Sequence, residues 1–245
     1  MNIKLLIEYL GTNYGGWQKQ RNSITIQEKI EECLLKIFRE KISIVGSGRT
    51  DSGVHALEQV ANFHVSDLNK INMIELKNKI NQNLVADIRI KSCTEVNKDF
   101  HSQHSCKQKT YLYRIKTLEP CNVFEEGRFW YIDREIDIES IKLISKNFIG
   151  KKDFKSFCKV GYAGNSTIRT IKKISVVRKK NFIDIKITGD GFLRGMVRLL
   201  VGSFINYEKG KIKKADINNA LKNSNKLKIN LSVPACGLYL YNVEY

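Results

Sequence analysis

The chain has 245 residues, and its 42 lysines and arginines outnumber 25 aspartates and glutamates to give a formal net charge of +17. This length and a hydrophobic share of 42% allow a large core that can form without disulfide or metal staples. The basic excess attracts polyanions, of which nucleic acid is the usual one, although a lysine-rich surface can also be merely solvated.

The first part of the chain has the pattern of a ferredoxin-like unit. Residues 3–9 alternate between apolar and other side chains, which predicts a strand and is too short and too charged for a signal peptide or membrane span. Thr25 and Glu28 match a capping box before a helix with apolar residues from Ile26 to Phe38. The remaining predicted elements are a strand beginning at Ile42 and Ile44, a strand over Gln59–Val65, a helix over 71–84 and a strand over Ile88–Val96. The order β-α-β-β-α-β is the ferredoxin-like order.

The second part partly echoes the first. Its predicted elements are a strand over Tyr111–Ile115, a helix over Ile136–Phe148, a hairpin of Ile171–Arg178 and Phe182–Ile187, an apolar helix over Phe192–Ile205, and a strand over Leu238–Val243. We therefore expect an α/β protein of the α+β kind, with two ferredoxin-like or RNP-like halves rich in antiparallel sheet. The predicted domains are residues 1–105 and 106–245, which meet at a central active-site cleft.

Six cysteines, at positions 33, 93, 106, 121, 158 and 236, form no C-x-x-C pair. The sequence therefore lacks a zinc signature, and the spacings do not resemble a small disulfide scaffold. Reduced thiols in a cytoplasmic protein fit best.

Three glycines at positions 46, 48 and 53 mark a loop that contains Arg49 and Asp51. The spacing fits neither a phosphate-binding P-loop nor a dinucleotide fingerprint. Arg49 can bind a phosphate or stack on a base, and Asp51 can act as nucleophile or base. On local chemistry alone, a glycine-rich turn in which Asp51 caps a backbone group fits about as well.

A set of distant segments resembles one family. Arg49–Ala56 is similar to the signature of the TruA-type tRNA pseudouridine synthases. Further blocks resemble that family in the family's order: Tyr14–Gln20, Phe100-His101, Lys109–Tyr113, Phe148–Phe157, Phe192–Arg198 and Gly237–Leu240. These blocks span nearly the whole chain. One departure is Val85, where the family pattern has a proline.

The resemblance implies that Asp51 is the catalytic carboxylate of an isomerisation that turns uridine into pseudouridine. The reaction breaks a glycosidic C–N bond and rejoins the base through carbon, so no atom is gained or lost and no cofactor or metal is required. Whether Asp51 adds to the base, attacks the sugar or removes a ribose proton stays open. By similarity Arg198 pairs with Asp51; the alternative is a helix-surface arginine with a packed stem.

The target base must leave its stack before it can react. The resemblance implies that Tyr111 stacks on the flipped uracil, whereas Tyr113 on the same face is expected in the core. It also implies that Arg49 fills the vacated space or grips a phosphate. His55 is a weaker candidate for an RNA contact, since a lone histidine after a tight loop is more often structural.

Between residues 151 and 180 the sequence has ten basic residues and one acidic residue, Asp153. This run predicts a track for RNA phosphates, with Phe154, Phe157 and Tyr162 interleaved. The RNA-binding candidates within it are Lys151, Lys152, Arg169 and Lys172. Lys209, Lys211, Lys213 and Lys214 form a second, weaker track. Either run can also be only a solvated face.

The resemblance further implies uridines 38–40 of the tRNA anticodon arm as targets and a homodimer bridged by the tRNA; the N-terminal residues themselves predict no membrane association. A rival hypothesis directs the same chemistry at ribosomal RNA. A second is a non-catalytic RNA-binding protein, which the combination of Arg49, Asp51, Tyr111 and Arg198 disfavours. A third is a carboxylate-dependent nuclease, which needs several acidic metal ligands together, whereas the acidic residue nearest to Asp51 in the sequence is Glu58.

Overall fold

The structure is a computed structural model that describes residues 1–68, 71–161, 164–224 and 227–245. The chain forms two compact units. Unit 1 comprises Met1–Lys107 together with Tyr239–Tyr245, and unit 2 comprises Gln108–Leu238. This grouping differs from the predicted domain division in placing Tyr239–Tyr245 with the N-terminal residues.

Unit 1 has a ferredoxin-like arrangement, as predicted. Its elements are β1 (Asn2–Tyr9), α1 (Ile26–Phe38), β2 (Val45–Gly46), β3 (His55–His64), α2 (Met73–Asn83) and β4 (Ile88–Val96). The sheet order is β4-β1-β3-β2, and every neighbouring pair is antiparallel. The late strand β10 (Leu238–Glu244) adds to this sheet, because Tyr239 and Leu240 pair in parallel with the first two residues of β3.

The helix caps of unit 1 differ in part from the sequence prediction. The hydroxyl of Thr25 accepts a hydrogen bond from the backbone N–H of Glu28, which is the first half of the predicted capping box. The complete box is at α2, where Asn72 accepts from the N–H groups of Ile74 and Glu75, and the Glu75 carboxylate accepts from the N–H of Asn72. Such reciprocal bonds satisfy donors that the helix itself leaves unpaired.

The second predicted strand exists as β2, but it begins at Val45 and not at Ile42, although the side chains of Ile42 and Ile44 are both buried. Side chains of α1 take the backbone groups that a strand would use. The N–H of Ile44 donates to the Glu31 carboxylate at 3.2 Å, and the carbonyl of Ile44 accepts from Gln27 Nε2 at 3.2 Å. Strand pairing therefore begins only at Val45.

Unit 2 contains every element predicted for the second part except the closing strand β10, which belongs to unit 1, and the boundaries are shifted. Its strands are β5 (Gln108–Thr117), β6 (Trp130–Ile132), β7 (Gly150–Asp153), β8 (Ile168–Lys179) and β9 (Phe182–Gly189), and its helices are α3 (Ile138–Ser145), α4 (Met196–Glu208) and α5 (Lys214–Asn223). The order β5-β9-β8-β7 is antiparallel throughout, and β6 pairs with β5 in parallel. The short strands β6 and β7 and helix α5 were not predicted.

Helix α4 begins at Met196 and not at Phe192. Gly195 caps it with a φ of 70°, a left-handed conformation that a helix cannot contain. The apolar residues Phe192 and Leu193 precede this turn, and they extended the predicted helix beyond its actual N-terminus. Within the described residues, no helix is long and apolar enough to cross a membrane.

Candidate active site

The loop that carries Asp51 is fixed through its middle residue, Thr50. The Thr50 hydroxyl hydrogen-bonds to the hydroxyl of Tyr9 at 2.8 Å, and the Thr50 carbonyl accepts from the backbone N–H of Trp17 at 3.1 Å. Thr50 is buried, whereas Arg49 is exposed and Asp51 is half-exposed. The loop therefore presents an arginine and a carboxylate on either side of an anchored residue.

Gln59 holds the beginning of the same loop. This side chain is fully buried; its Oε1 accepts from the Ser47 hydroxyl at 2.8 Å, and its Nε2 donates to the Gly48 carbonyl at 2.8 Å. The sequence interpretation missed Gln59. The sequence indicated it by a polar residue at the start of an apolar predicted strand, because a buried amide needs hydrogen-bond partners.

The far side of the loop rests on Tyr14. The Ser52 hydroxyl and the Gly53 N–H both donate to the Tyr14 carbonyl, at 3.1 Å and 3.4 Å. The Tyr14 hydroxyl donates to the Asp87 carboxylate at 2.6 Å. Burial, and next that hydrogen bond, raise the pKa of Tyr14, so the phenol stays a neutral donor.

Gly16 allows the backbone to pass directly beneath Asp51. Its φ is +101°, and a Cβ there would lie 2.4 Å from the carbonyl oxygen of Thr50 and 3.0 Å from the carbonyl carbon of Asp51. The block from Tyr14 to Gln20 is thus the support of the Arg49–Asp51 loop. Two segments that are separate motifs in the sequence therefore form one structure.

We expect Gln59→Leu to lower kcat by about tenfold to a hundredfold, because the loop loses two hydrogen bonds and small displacements of a reacting group are costly. It should also lower the free energy of unfolding by about 1–3 kcal/mol. The matched control is Asn62→Leu, a buried amide of the same strand that bonds to Asn2 and Ser102 and not to the Asp51 loop. Equal kcat values for the two variants, measured well below their unfolding temperatures, would contradict a positioning role for Gln59.

His55 does not have the exposure that an RNA contact needs. Its side chain is 0% exposed, its Nδ1 accepts from the N–H of Gly11 at 2.9 Å, and its ring lies 4.7 Å from that of Tyr239. The structural alternative for this histidine therefore fits the contacts, and we exclude His55 from the candidate RNA-binding residues.

Tyr111 lies on β5 opposite Ile187 of β9. Its largely buried ring meets the ring of Phe192 edge to face at 4.9 Å. Two of the resembling blocks, around Tyr111 and Phe192, therefore meet within unit 2. Tyr113 is fully buried and donates its hydroxyl to the carbonyl of Pro234 at 2.8 Å, so it is a core residue as expected.

Arg198 is in the first turn of α4 and is half-exposed. Its Nε donates to the carbonyl of Val233 at 2.6 Å, which fixes the edge of the guanidinium. The preceding residues of the helix, Met196 and Val197, are buried.

The predicted RNA-binding residues of the basic run lie on the strands β7 and β8 of unit 2. Lys152 is directly opposite Arg169 in the antiparallel register, so the two cations share a face of the sheet. Lys151 and Lys172 are exposed, and Lys172 Nζ donates to Gln108 Oε1 at 2.8 Å. Of the second track, Lys213 and Lys214 are exposed at the start of α5.

The aromatic residues of the basic run are not available to bases, which corrects the prediction for Phe154 and Phe157. Both are fully buried, and the ring of Phe157 packs against Phe148 at 5.2 Å. Tyr162 lies outside the described residues. Asp153 is structural, since it accepts from the hydroxyls of Thr167 and Ser224 at 2.6 Å and 3.0 Å. In the described part of the chain, no group of three or more His, Cys, Asp or Glu is placed to hold a metal ion.

Comparison of the sequence with known proteins identifies a family and full-length relatives. Residues 5–105 and 144–245 match the family described as tRNA pseudouridine synthase. A protein of Clostridium perfringens named tRNA pseudouridine synthase A 2 is 41% identical over 244 residues, covering 100% of this chain and 99% of that protein. The tRNA pseudouridine synthase A of Thermodesulfovibrio yellowstonii is 40% identical over 255 residues, with 100% of both chains covered.

One solved structure is titled "Crystal Structure of a Cbf5-Nop10-Gar1 Complex". The match covers 83% of this chain and 44% of that chain, at 9% identity and a TM-score of 0.38, a likeness too low to bear on fold or function.

The match over both units and the full-length relatives show that the chain belongs to the tRNA pseudouridine synthase family, in its TruA-type branch. It is accordingly an isomerase that forms pseudouridine in tRNA.

Proposed function

We propose that this isomerase uses Asp51 as its catalytic carboxylate and acts on uridines 38–40 of the tRNA anticodon arm. The observation that carries the assignment of Asp51 is the anchoring of Thr50 by Tyr9 and Trp17. Such anchoring supports a carboxylate held in a fixed position, and fixed groups are what catalysis at a single atom requires.

In this proposal Arg49, the exposed neighbour of Asp51, fills the space that the flipped uridine leaves or grips its phosphate. A planar guanidinium suits either task, because it stacks on rings and binds phosphate oxygens with paired donors. Tyr111 stacks on the extruded uracil, with its ring held at one edge by Phe192. Arg198 supplies a cation that pairs with the Asp51 carboxylate.

We further propose that Lys151, Lys152, Arg169 and Lys172 bind tRNA phosphates, that the enzyme is a homodimer, and that it works in the cytoplasm, where its substrate is made. The shared sheet face of Lys152 and Arg169 supports the first of these assignments. The alternative is the same chemistry on ribosomal RNA.

The test of substrate and position is to incubate the protein with unmodified tRNA and with ribosomal RNA and to map pseudouridine in each by chemical derivatisation. We expect product at positions 38–40 of the tRNA. Product at other tRNA positions would overturn the positional assignment and leave the isomerase standing, and product only in ribosomal RNA would overturn the substrate.

Binding of tRNA should weaken steeply as salt rises, because phosphate contacts release counterions. We expect Lys152→Gln to reduce the slope of log affinity against log salt by about one. The matched control is Lys142→Gln, a lysine of α3 that already pairs with Glu139 at 2.7 Å. Identical slopes for Lys152→Gln and the wild type, measured by filter binding, would remove Lys152 from the RNA-binding set.

A further inference from the structure

A backbone hydrogen bond joins two turns of unit 2 near the ring of Tyr111. The N–H of Lys159 donates to the carbonyl of Arg194 at 2.9 Å. Arg194 lies in the loop between β9 and α4, two residues after Phe192, whose ring contacts that of Tyr111. Two residues span at most about 7 Å, so the joined turns lie close to the ring on which we expect the uracil to stack.

The side chain of Lys159 crosses directly over Gly195, the residue before α4. A Cβ built on Gly195 would lie 2.7 Å from Cγ, 2.8 Å from Cδ and 2.9 Å from Cε of Lys159. Carbon atoms that are not bonded pack at about 3.5–4.0 Å, so a larger residue at this position would push the lysine away. Gly195 therefore makes room for the lysine as well as supplying the left-handed turn before α4.

The side chains around this crossing are cationic. Residues 154–161 and 191–198 include no aspartate or glutamate and four basic residues: Lys155, Lys159, Arg194 and Arg198. Arg194 is exposed, and a Cβ on Gly161 would lie 3.7 Å from its Nη1, so the guanidinium stays beside the turn that carries Lys159. Arg198 follows Gly195 by three positions, which places it on the same side of the first turn of α4. Cations that the backbone gathers in this way repel one another, and an anion between them removes the repulsion.

We propose that Lys159 and Arg194 bind the phosphate next to the target uridine, and that Gly195 allows Lys159 to reach it. The inference rests on the proposed stacking of the uracil on Tyr111. Because Phe192 contacts Tyr111 and precedes Arg194 by two residues, a phosphate attached to the stacked nucleotide lies within reach of both cations. Hydrogen bonds from an ammonium and a guanidinium to a phosphate are among the stronger ones in proteins.

This phosphate site differs from the phosphate-binding residues proposed on β7 and β8. Lys159 belongs to neither strand, so it is not part of the sheet face that Lys152 and Arg169 share. Its task also differs. The isomerisation detaches the base from the ribose and turns it, so the ribose must be held in place by a group other than the base. A grip on the adjacent phosphate holds the ribose while the base moves.

The first experiment removes the lysine in two ways. Lys159→Gln removes its charge, whereas Gly195→Ala keeps the charge and displaces the side chain. We expect each variant to bind unmodified tRNA roughly tenfold more weakly in filter binding, as loss of one charge-assisted hydrogen bond does. The double variant should bind no more weakly than either single variant, because both changes remove the same contact.

Gly210→Ala is the matched control for Gly195→Ala. The φ of Gly210, +68°, is close to the +70° of Gly195, but nothing lies within 4 Å of an added Cβ. The control thus imposes backbone strain without moving a lysine, and it should bind tRNA as the wild type does. Losses of affinity that add up in the double variant would contradict a role of Gly195 that acts through Lys159.

The second experiment identifies the phosphate. A tRNA is assembled with one target uridine, the other targets being replaced by cytidine, and one phosphate at a time is replaced by an uncharged methylphosphonate. A methylphosphonate beside the target uridine should weaken binding to the wild type roughly tenfold and leave the affinity of Lys159→Gln unchanged. Equal losses for the two proteins at every position, or a response of Lys159 only to phosphates remote from the target uridine, would overturn the inference.

The phosphate site and the proposed function fail separately. The target uridine is taken from the map of the product, wherever that lies, and the role of Asp51 is tested by the reaction rate. Product at positions 38–40 with no effect of Lys159→Gln on affinity would remove only the phosphate site. A phosphate that depends on Lys159 and lies beside a target uridine elsewhere in the tRNA would keep the site and correct the positional assignment.

Discussion

Asp51→Asn should abolish pseudouridine formation, with a fall in the single-turnover rate of at least roughly a thousandfold. Asparagine has nearly the size of aspartate, but it carries no negative charge and is a poor nucleophile and base. Addition to the base, attack on the sugar and removal of a ribose proton all need the carboxylate. The substitution therefore removes whichever of these steps Asp51 performs.

The same variant should keep its fold and its affinity for tRNA. The loop is anchored through Thr50, Ser52 and Gly53, and loss of a negative charge near the RNA does not weaken phosphate binding. The matched control is Glu58→Gln, which neutralises a carboxylate of β3 that pairs with Lys91 at 3.3 Å; its rate should equal that of the wild type. A single-turnover rate for Asp51→Asn within tenfold of the wild-type rate would contradict the proposed role of Asp51.

Gly16→Ala should lower both activity and stability, although Gly16 has no side chain and takes no part in the chemistry. The residue has a left-handed φ of +101°, and an added methyl group would lie 2.4 Å from the Thr50 carbonyl oxygen. The obstacle is backbone, so the loop must move. We expect a fall in kcat of about a hundredfold, the usual effect of displacing a reacting group by about 1 Å.

Gly210→Ala separates the collision from the backbone strain. Gly210 also has a positive φ, of +68°, but a Cβ there meets nothing within 4 Å. It should lower the thermal unfolding temperature through strain of about 1–2 kcal/mol and leave kcat unchanged. If Gly16→Ala and Gly210→Ala both retained full activity, the contact between Gly16 and the Asp51 loop would have no catalytic importance.

The sequence predicted those parts of the fold that depend on a local alternation or periodicity of apolar residues. The alternation of Ile3, Leu5 and Ile7 gave β1, and these side chains are all fully buried. The order of elements in unit 1 was predicted for the same reason, because each strand and helix has its own periodicity. The ends of elements depend on less local forces. Helix α4 begins only after Gly195, and the left-handed backbone of that glycine cannot be seen in the periodicity of apolar residues.

The predicted start of the second strand, at Ile42 and Ile44, was wrong because the competing hydrogen-bond partners are distant in sequence. Gln27 and Glu31 lie 17 and 13 residues before Ile44, and they take the backbone groups that would have paired in a strand. The prediction that Phe154 and Phe157 contact RNA bases was wrong for a related reason. An aromatic ring among lysines reads as a stacking surface, but the lysine heads reach solvent while the rings pack inward.

The candidate site was predicted as a set of residue types and not as a structure. Similarity placed Arg49 and Asp51 in one motif and Tyr14 to Gln20 in another, with no indication that Trp17 and Tyr9 both bind Thr50. Hydrogen bonds of this kind join residues tens of positions apart. No single-sequence pattern records them, whereas a buried polar residue such as Gln59 at least indicates that a partner must exist.

The parallel pairing of β10 with β3 has a consequence for synthesis on the ribosome. Tyr239 and Leu240 emerge only after all of unit 2, so residues 1–107 must wait for more than a hundred further residues before the edge of β3 at His55 and Ala56 is covered. During that interval the nascent sheet has an open edge, and the imidazole of His55 lacks the ring of Tyr239. The loop that carries Asp51 leads directly into this edge, but its anchors Tyr9, Trp17 and Gln59 all belong to residues 1–107, so the loop can be held before the edge is covered.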